Sequence, residues 1–171
     1  MPRLILFRHA KAEPAQPGEK DHERALAARG RDDAAAMGKV LADEGEPPAR
    51  VLCSTSVRTR QTWEAAKPAL ASSPDIRFLR DIYEADGDYI EILRENGKRA
   101  ASLLLVGHNP AIHVTALRLA DHLAGREGGA LMNHFPTAAL AVFTFDAKWK
   151  ELRPGTLTLA AFITPKGGGS D

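Results

Sequence analysis

Cysteine is nearly absent. Cys53 is the one thiol in 171 residues, so no intrachain disulfide can form, which suits a reducing compartment. Long apolar runs are missing too: a membrane-spanning helix needs roughly 20 consecutive apolar residues, and no stretch approaches that length. Leu4-Ile5-Leu6-Phe7 is too short for a secretory leader and runs straight into Arg8, so cytoplasm is the expected location. Excess charge of either sign is lacking. The 23 basic and 22 acidic residues are mixed along the chain, with a formal net charge of +1. That excludes the basic face by which nucleic acid or an anionic membrane is bound. The 6 histidines are scattered, with no His-x-x-x-His, His-Glu-x-x-His or Cys/His pairing, so neither a metal nor another cofactor is expected.

What is present reads as an ordinary globular chain, 44% hydrophobic and 26% charged. Its length suits one core, and no repeat suggests a second, so residues 1–165 are expected to form a single domain. Residues 166–171, Gly-rich and polar, are expected to be a frayed tail. Leu4 to Phe7 is apolar without alternation, as a strand buried on both faces should be. Ala27 to Glu44 has helical spacing, with Ala34, Met37, Val40 and Leu41 on one face, and ends at Gly45 before Pro47 and Pro48.

Further strands are expected at Val51–Cys53, Ile76–Leu79 and Ser102–Val106. Further helices are expected at about Val57–Leu70, Tyr89–Glu95 and Ile112–Leu123, the last with Asn109 as cap and Pro110 in its first turn. The segments Ala139–Phe145 and Thr156–Ile163 read as late strands pairing at one edge. This order predicts an α/β protein, a three-layer sandwich with a largely parallel central sheet flanked by helices.

In such folds ligands bind beyond the carboxyl ends of the strands. Three of those ends carry residues suited to phosphate. Arg8-His9 follows the first strand, where a neutral imidazole can accept a phosphoryl group and an arginine can neutralise its oxygens. Alone, that pair could equally be a surface arginine beside a hydrogen-bonded histidine. Arg58 lies in the first turn of the second helix, where free N–H groups favour anions. Arg60 points elsewhere on any helix and is read as a solvated side chain. His108 follows the most apolar strand and is a second candidate for holding the phosphoryl group, by donating to its oxygens.

Glu84, after the third strand, is the candidate acid/base, with a solvated loop glutamate as its plain alternative. Cys53 is one residue too near Arg58, and one too far from Arg60, for a cysteine-phosphatase loop. It is read as the buried end of a strand.

Together these residues resemble the histidine phosphatase superfamily, which includes the phosphoglycerate mutases. Arg8-His9-Ala10 is similar to its Arg-His-Gly signature, with Ala10 in place of the glycine. Ser54, Arg58, Gln61 and Thr62 fall in register with its Ser-x-x-x-Arg-x-x-Gln-Thr motif, and Gly107-His108-Asn109-Pro110 is similar to its second histidine motif. Tyr83-Glu84-Ala85, Pro136-Thr137-Ala138-Ala139-Leu140 and the short chain point to the SixA-like phosphohistidine phosphatases. Lys11 and Glu13 depart from the mutases, and the Arg-His-Gly-x-Arg-x-Pro pattern of phytases is absent.

The resemblance implies a phosphoglycerate mutase-like fold and a phosphatase that works through phosphorylated His9. Arg8, Arg58 and His108 would hold the phosphoryl group, and Glu84 would act as acid/base. It implies a phosphohistidine-bearing protein as partner, with a small phosphorylated metabolite as the alternative substrate. A phosphoprotein-binding module without turnover is the non-enzymatic alternative. The protein is expected to act as a monomer or weak homo-oligomer.

Overall fold

The computed structural model describes residues 1–166, so the expected tail, Lys166 apart, lies outside the described residues. Six strands form one sheet: β1 (Arg3–Arg8), β2 (Arg50–Ser54), β3 (Asp75–Leu79), β4 (Ser102–Gly107), β5 (Leu140–Thr144) and β6 (Thr158–Ile163), in the order β3-β2-β4-β1-β5-β6. β1, β2, β3 and β4 pair in parallel, whereas β5 and β6 add antiparallel at one edge. The helices are α1 (Ala28–Asp43), α2 (Val57–Ala66), α3 (Arg80–Glu84), α4 (Ile90–Asn96), α5 (Ala111–Leu119) and α6 (Gly125–Asn133). None of them is long and apolar enough to cross a membrane.

The unalternating strands are buried on both sides because successive side chains enter opposite layers. Leu4, Leu6, Leu52, Leu103 and Leu105 pack with Ile82, Tyr89, Leu93, Ile112 and Phe135 on one face. Ile5, Phe7, Val51, Cys53, Leu104 and Val106 pack with Met37, Leu41 and Trp63 of α1 and α2 on the other. Each such aliphatic or aromatic side chain contributes about 1.5–3 kcal/mol on leaving water. Truncating one, as in Leu105→Ala, should cost about 2–5 kcal/mol.

Three helices differ from their expected form. Pro68 ends α2 at Ala66, and residues 67–69 turn as a 3-10 helix. α5 stops at Leu119 because the chain leaves it to pair with the segment before β6: Asp121 N–H donates to the Leu157 carbonyl at 2.7 Å, and Leu157 N–H to the Leu119 carbonyl at 2.9 Å. Asn109 does not cap α5, since its amide donates to the Phe135 carbonyl at 3.0 Å and Pro110 takes the cap position. The glycine-rich α6 was not expected, because Gly125, Gly128 and Gly129 disfavour helix. Packing overrides propensity there: Leu131 is buried in the core, and its carbonyl accepts from His113 Nε2 at 2.6 Å.

Candidate active site

The parallel register brings three strand ends together. Arg8 pairs with Gly107, and Cys53 with Val106, so His9, His108 and the Ser54–Arg58 turn emerge side by side. His9 is fixed along its backbone. Its N–H donates to the Gly107 carbonyl, and its own carbonyl accepts from Ala138 N–H, each at 3.1 Å. Ala138 holds a left-handed φ of 60° while wholly buried, a strained conformation kept by its surroundings. Ala10 lies inside the core with Phe7 and Leu26, so its methyl packs inward.

The ring of His9 is oriented for nucleophilic attack. Nδ1 lies 2.8 Å from the Ala10 carbonyl, which can only accept, so Nδ1 carries the proton and Nε2 keeps its lone pair. Burial lowers the His9 pKa well below the ordinary value, opposed by the Ala10 hydrogen bond and aided by the charges of Arg58 and Arg8. The ring is therefore neutral at physiological pH, as a phosphoryl acceptor must be.

His108 stands with its ring centroid 5.3 Å from that of His9. Ser54 Oγ lies 2.7 Å from His108 Nε2 and accepts from Ser56 N–H at 3.4 Å. His108 Nδ1 is a buried atom with no protein hydrogen-bond partner among the described residues. The His108 pKa falls to about 3, through burial first and the Arg58 charge second, with Asp21 opposing. Tyr89 holds the His108 backbone: its hydroxyl accepts from His108 N–H at 3.0 Å and donates to the His108 carbonyl at 3.3 Å. Gly107 admits that ring, since a Cβ there would come within 2.9 Å of it.

Arg8 Nη1 donates to the Phe135 carbonyl at 2.9 Å. Arg58 is gripped by the 11–24 loop, with Nη1 on the Asp21 carbonyl at 2.8 Å and Nη2 on Asp21 Oδ2 at 3.1 Å. Arg8, His9 and Arg58 line a cleft of about 170 Å³ with Lys11, Arg24 and Thr137. Fixed cations around a small cleft are suited to the equatorial oxygens of a phosphoryl group.

The motif residues between Ser54 and Thr62 each have a structural task. Thr62 Oγ1 accepts from Ala10 N–H at 3.0 Å and donates to the Arg58 carbonyl at 2.7 Å, so it ties the nucleophile's loop to the phosphate arginine. Gln61 Oε1 accepts from Leu26 N–H at 2.7 Å and anchors the far end of the 11–24 loop. Arg60 lies over the Phe78 ring at 4.4 Å and donates to the Thr55 carbonyl, away from the cleft. Burial pushes the Cys53 thiol up to about 12, which makes it a poor nucleophile.

Glu84 lies apart from this cluster. Its carboxylate is 53% exposed and pairs with Arg80 at 2.5 Å across one turn of α3, and no described contact joins it to His9, His108, Arg8 or Arg58. One residue is about 100° of helix, and it is Tyr83 that faces inward. Tyr83 packs edge-on to His108, with centroids 5.7 Å apart, and to His22 at 4.7 Å, and its hydroxyl donates to Asp21 Oδ2 at 3.0 Å. The carboxyl beside the site is thus Asp21, in a Pro-rich loop without periodicity. Desolvation would raise its pKa, but hydrogen bonds from Arg24 and Tyr83 and the Arg58 charge outweigh that and hold it at about 2. Asp21, Tyr89 and His22 carry no pattern that sets them apart in the sequence, and Tyr83 enters there only as part of the Tyr83-Glu84-Ala85 resemblance.

Comparison with known proteins agrees with the geometry. Residues 4–94, a stretch that holds His9 and Arg58 but ends before His108, match the model of the histidine phosphatase superfamily (branch 1). An uncharacterized protein of Mycobacterium tuberculosis is 33% identical over 165 residues, covering 94% of this chain and 100% of the relative. Among solved structures, SixA of Agrobacterium tumefaciens, a candidate phosphohistidine phosphatase, is 32% identical with a TM-score of 0.78 and covers 95% of this chain and 97% of that one. The corresponding protein of Nakamurella multipartitia is 30% identical with a TM-score of 0.80, over 96% of both chains. A SixA protein histidine phosphatase bound to tungstate shares the fold, with a TM-score of 0.72 at 20% identity. The chain is a phosphatase belonging to the histidine phosphatase superfamily, in its SixA-like branch.

Proposed function

We propose that this phosphatase hydrolyses phosphohistidine on a protein partner, through a phosphoryl group carried transiently on His9. His9 Nε2 attacks phosphorus, the P–N bond to the substrate breaks, and the substrate imidazole leaves with the bonding electron pair. Water then attacks the phosphoryl group on His9, giving inorganic phosphate and restoring the neutral ring. Arg8, Arg58 and His108 would hold the oxygens as charge moves between them.

The observation that carries this reading is the pairing of a prepared nucleophile with carboxyls unsuited to proton donation. Asp21 is held ionised at about 2, and Glu84 is turned to solvent against Arg80. An alkyl ester needs a general acid to protonate its departing oxygen. An imidazole leaves as a neutral base once its other nitrogen is protonated, so it makes no such demand on the enzyme.

The test is phosphate release from a phosphohistidine-bearing protein, with a panel of alkyl phosphates beside it. Quenching in base and mapping by mass spectrometry should find the phosphoryl group on His9. Rapid turnover of alkyl phosphates with none of the phosphohistidine protein would overturn the proposal and favour a small-molecule phosphomonoesterase.

A further inference from the structure

Four rings run in sequence from the nucleophile to the surface. Consecutive centroids are 5.3 Å apart for His9 and His108, 5.7 Å for His108 and Tyr83, and 4.7 Å for Tyr83 and His22. Exposure follows the same order, with His9 and His108 buried and Tyr83 and His22 half-buried. The two outer rings are fixed from different elements. Tyr83 is tied to Asp21 through its hydroxyl, and His22 Nε2 lies 2.9 Å from Thr55 Oγ1.

Around the phosphate cleft the lining is of another kind, with Lys11 and Arg24 joining Arg8 and Arg58. The mouth is therefore cationic where the cleft opens and aromatic beyond His108. In-line transfer sends the leaving atom away from His9 Nε2. Apart from His9, no ring is among the described residues that line the cleft, so a planar leaving group finds ring surface to pack against on the Tyr83 side, and those rings are already held in place, so little ordering is lost on binding.

We infer that Tyr83, backed by His22, forms a leaving-group subsite that selects planar aromatic groups, the imidazole of a phosphohistidine among them. The inference rests on the phosphohistidine reading, but it can be separated from it by experiment. Tyr83 acts here as a substrate-binding residue. Its hydroxyl is a second, distinct connection, reaching Arg58 through Asp21.

Phosphoramidate and phosphohistidine both carry a P–N bond and differ in the ring, so their kcat/KM ratio reads ring recognition directly. Wild-type protein should favour phosphohistidine. Tyr83→Leu should reduce that preference about five- to tenfold, mostly through KM, in line with the worth of one aromatic contact. Tyr83→Phe should keep the preference while slowing both substrates alike, and circular dichroism should show both variants folded. If Tyr83→Leu lowers both substrates by one factor, Tyr83 acts only through Asp21 and Arg58, and the subsite is refuted. Phenyl phosphate against ethyl phosphate provides the second arm. A Tyr83-dependent preference for phenyl phosphate, with no turnover of phosphohistidine, upholds the ring subsite and removes the phosphohistidine reading. No Tyr83-dependent preference in either pair removes the subsite alone.

Discussion

The floor of the active site and its rim are built by opposite means. On the floor, Arg8, His9, Arg58 and His108 leave the ends of parallel strands or the first turn of a helix, and all four are buried. Arg8, His9 and His108 are set by strand register and Arg58 by the start of α2, and each by a hydrogen bond to backbone or to a neighbouring hydroxyl. The rim is a Pro-containing loop and the five-residue helix α3, joined by side chains: Asp21 to Arg24, Arg58 and Tyr83, and His22 to Thr55. A floor of this kind fixes the reaction, whereas the rim is free to choose which leaving group reaches it.

The largest effect should come from the floor. His9→Ala removes the imidazole that lines the cleft beside Arg8 and Arg58, and phosphatase activity should fall by about 10⁴ or more, as when a covalent nucleophile is lost. Single-turnover assays with base-stable trapping would check it. Wild-type rates in the variant would end the covalent scheme, and the floor would lose its claim to the chemistry.

The floor was legible in the sequence and the rim was not, for a physical reason. Residues at strand ends inherit their position from the sheet, so the apolar runs before Arg8 and Gly107 were enough to locate them. Tyr83 and Glu84 differ by one step of a helix too short to show a periodicity, and residue type alone favoured the carboxylate. Asp21 lies among Pro14, Pro17 and Gly18 with no regular spacing. Tyr89 is identified only by what it touches, Gly107 and the His108 backbone. α6 was hidden by its glycines, and the end of α5 by a pairing with Leu157 that no local pattern announces.

Acid should reveal how much of the fold's stability is spent on keeping the floor neutral. Both histidines have depressed pKa values when folded. Unfolded chains therefore bind more protons below about pH 6.5, and stability present above that value is lost as pH falls. With a folded value of about 3 for His108, the loss should be about 2 kcal/mol between pH 7 and pH 5. Urea denaturation of wild type and His108→Gln across that range would measure it, and the variant should show a flatter limb. Asp21, held at about 2, exerts its own pH effect below about 3.8, outside this window. Parallel limbs in the two proteins would contradict a neutral buried His108.

Thr62 lies between floor and rim, and its effect should be intermediate. Thr62→Val keeps the shape but leaves Ala10 N–H without its acceptor and removes the hydroxyl bond to the Arg58 carbonyl. Stability should fall by about 1–3 kcal/mol. Phosphatase kcat should fall about tenfold, because nucleophile and arginine lose a shared anchor. Thermal unfolding and steady-state kinetics on one preparation would separate the two. A stability loss with unchanged kcat would mean that Arg58 is positioned by Asp21 alone.

The smallest expected effect is the sharpest comparison along one helix. Glu84→Gln alters a carboxylate that faces water and meets Arg80, so kcat should change by less than about twofold on any substrate; an exposed ion pair of this kind is worth at most about 1 kcal/mol. If a general acid did act from this position, the amide would slow alkyl esters by about 10²–10⁴ while sparing phosphohistidine. Measured on both substrates beside Tyr83→Leu, the two variants ask which face of α3 meets the substrate. A large ester-specific loss at Glu84 would require α3 to turn by about 100° in the working enzyme, and would transfer the rim's function from the aromatic ring to the carboxylate.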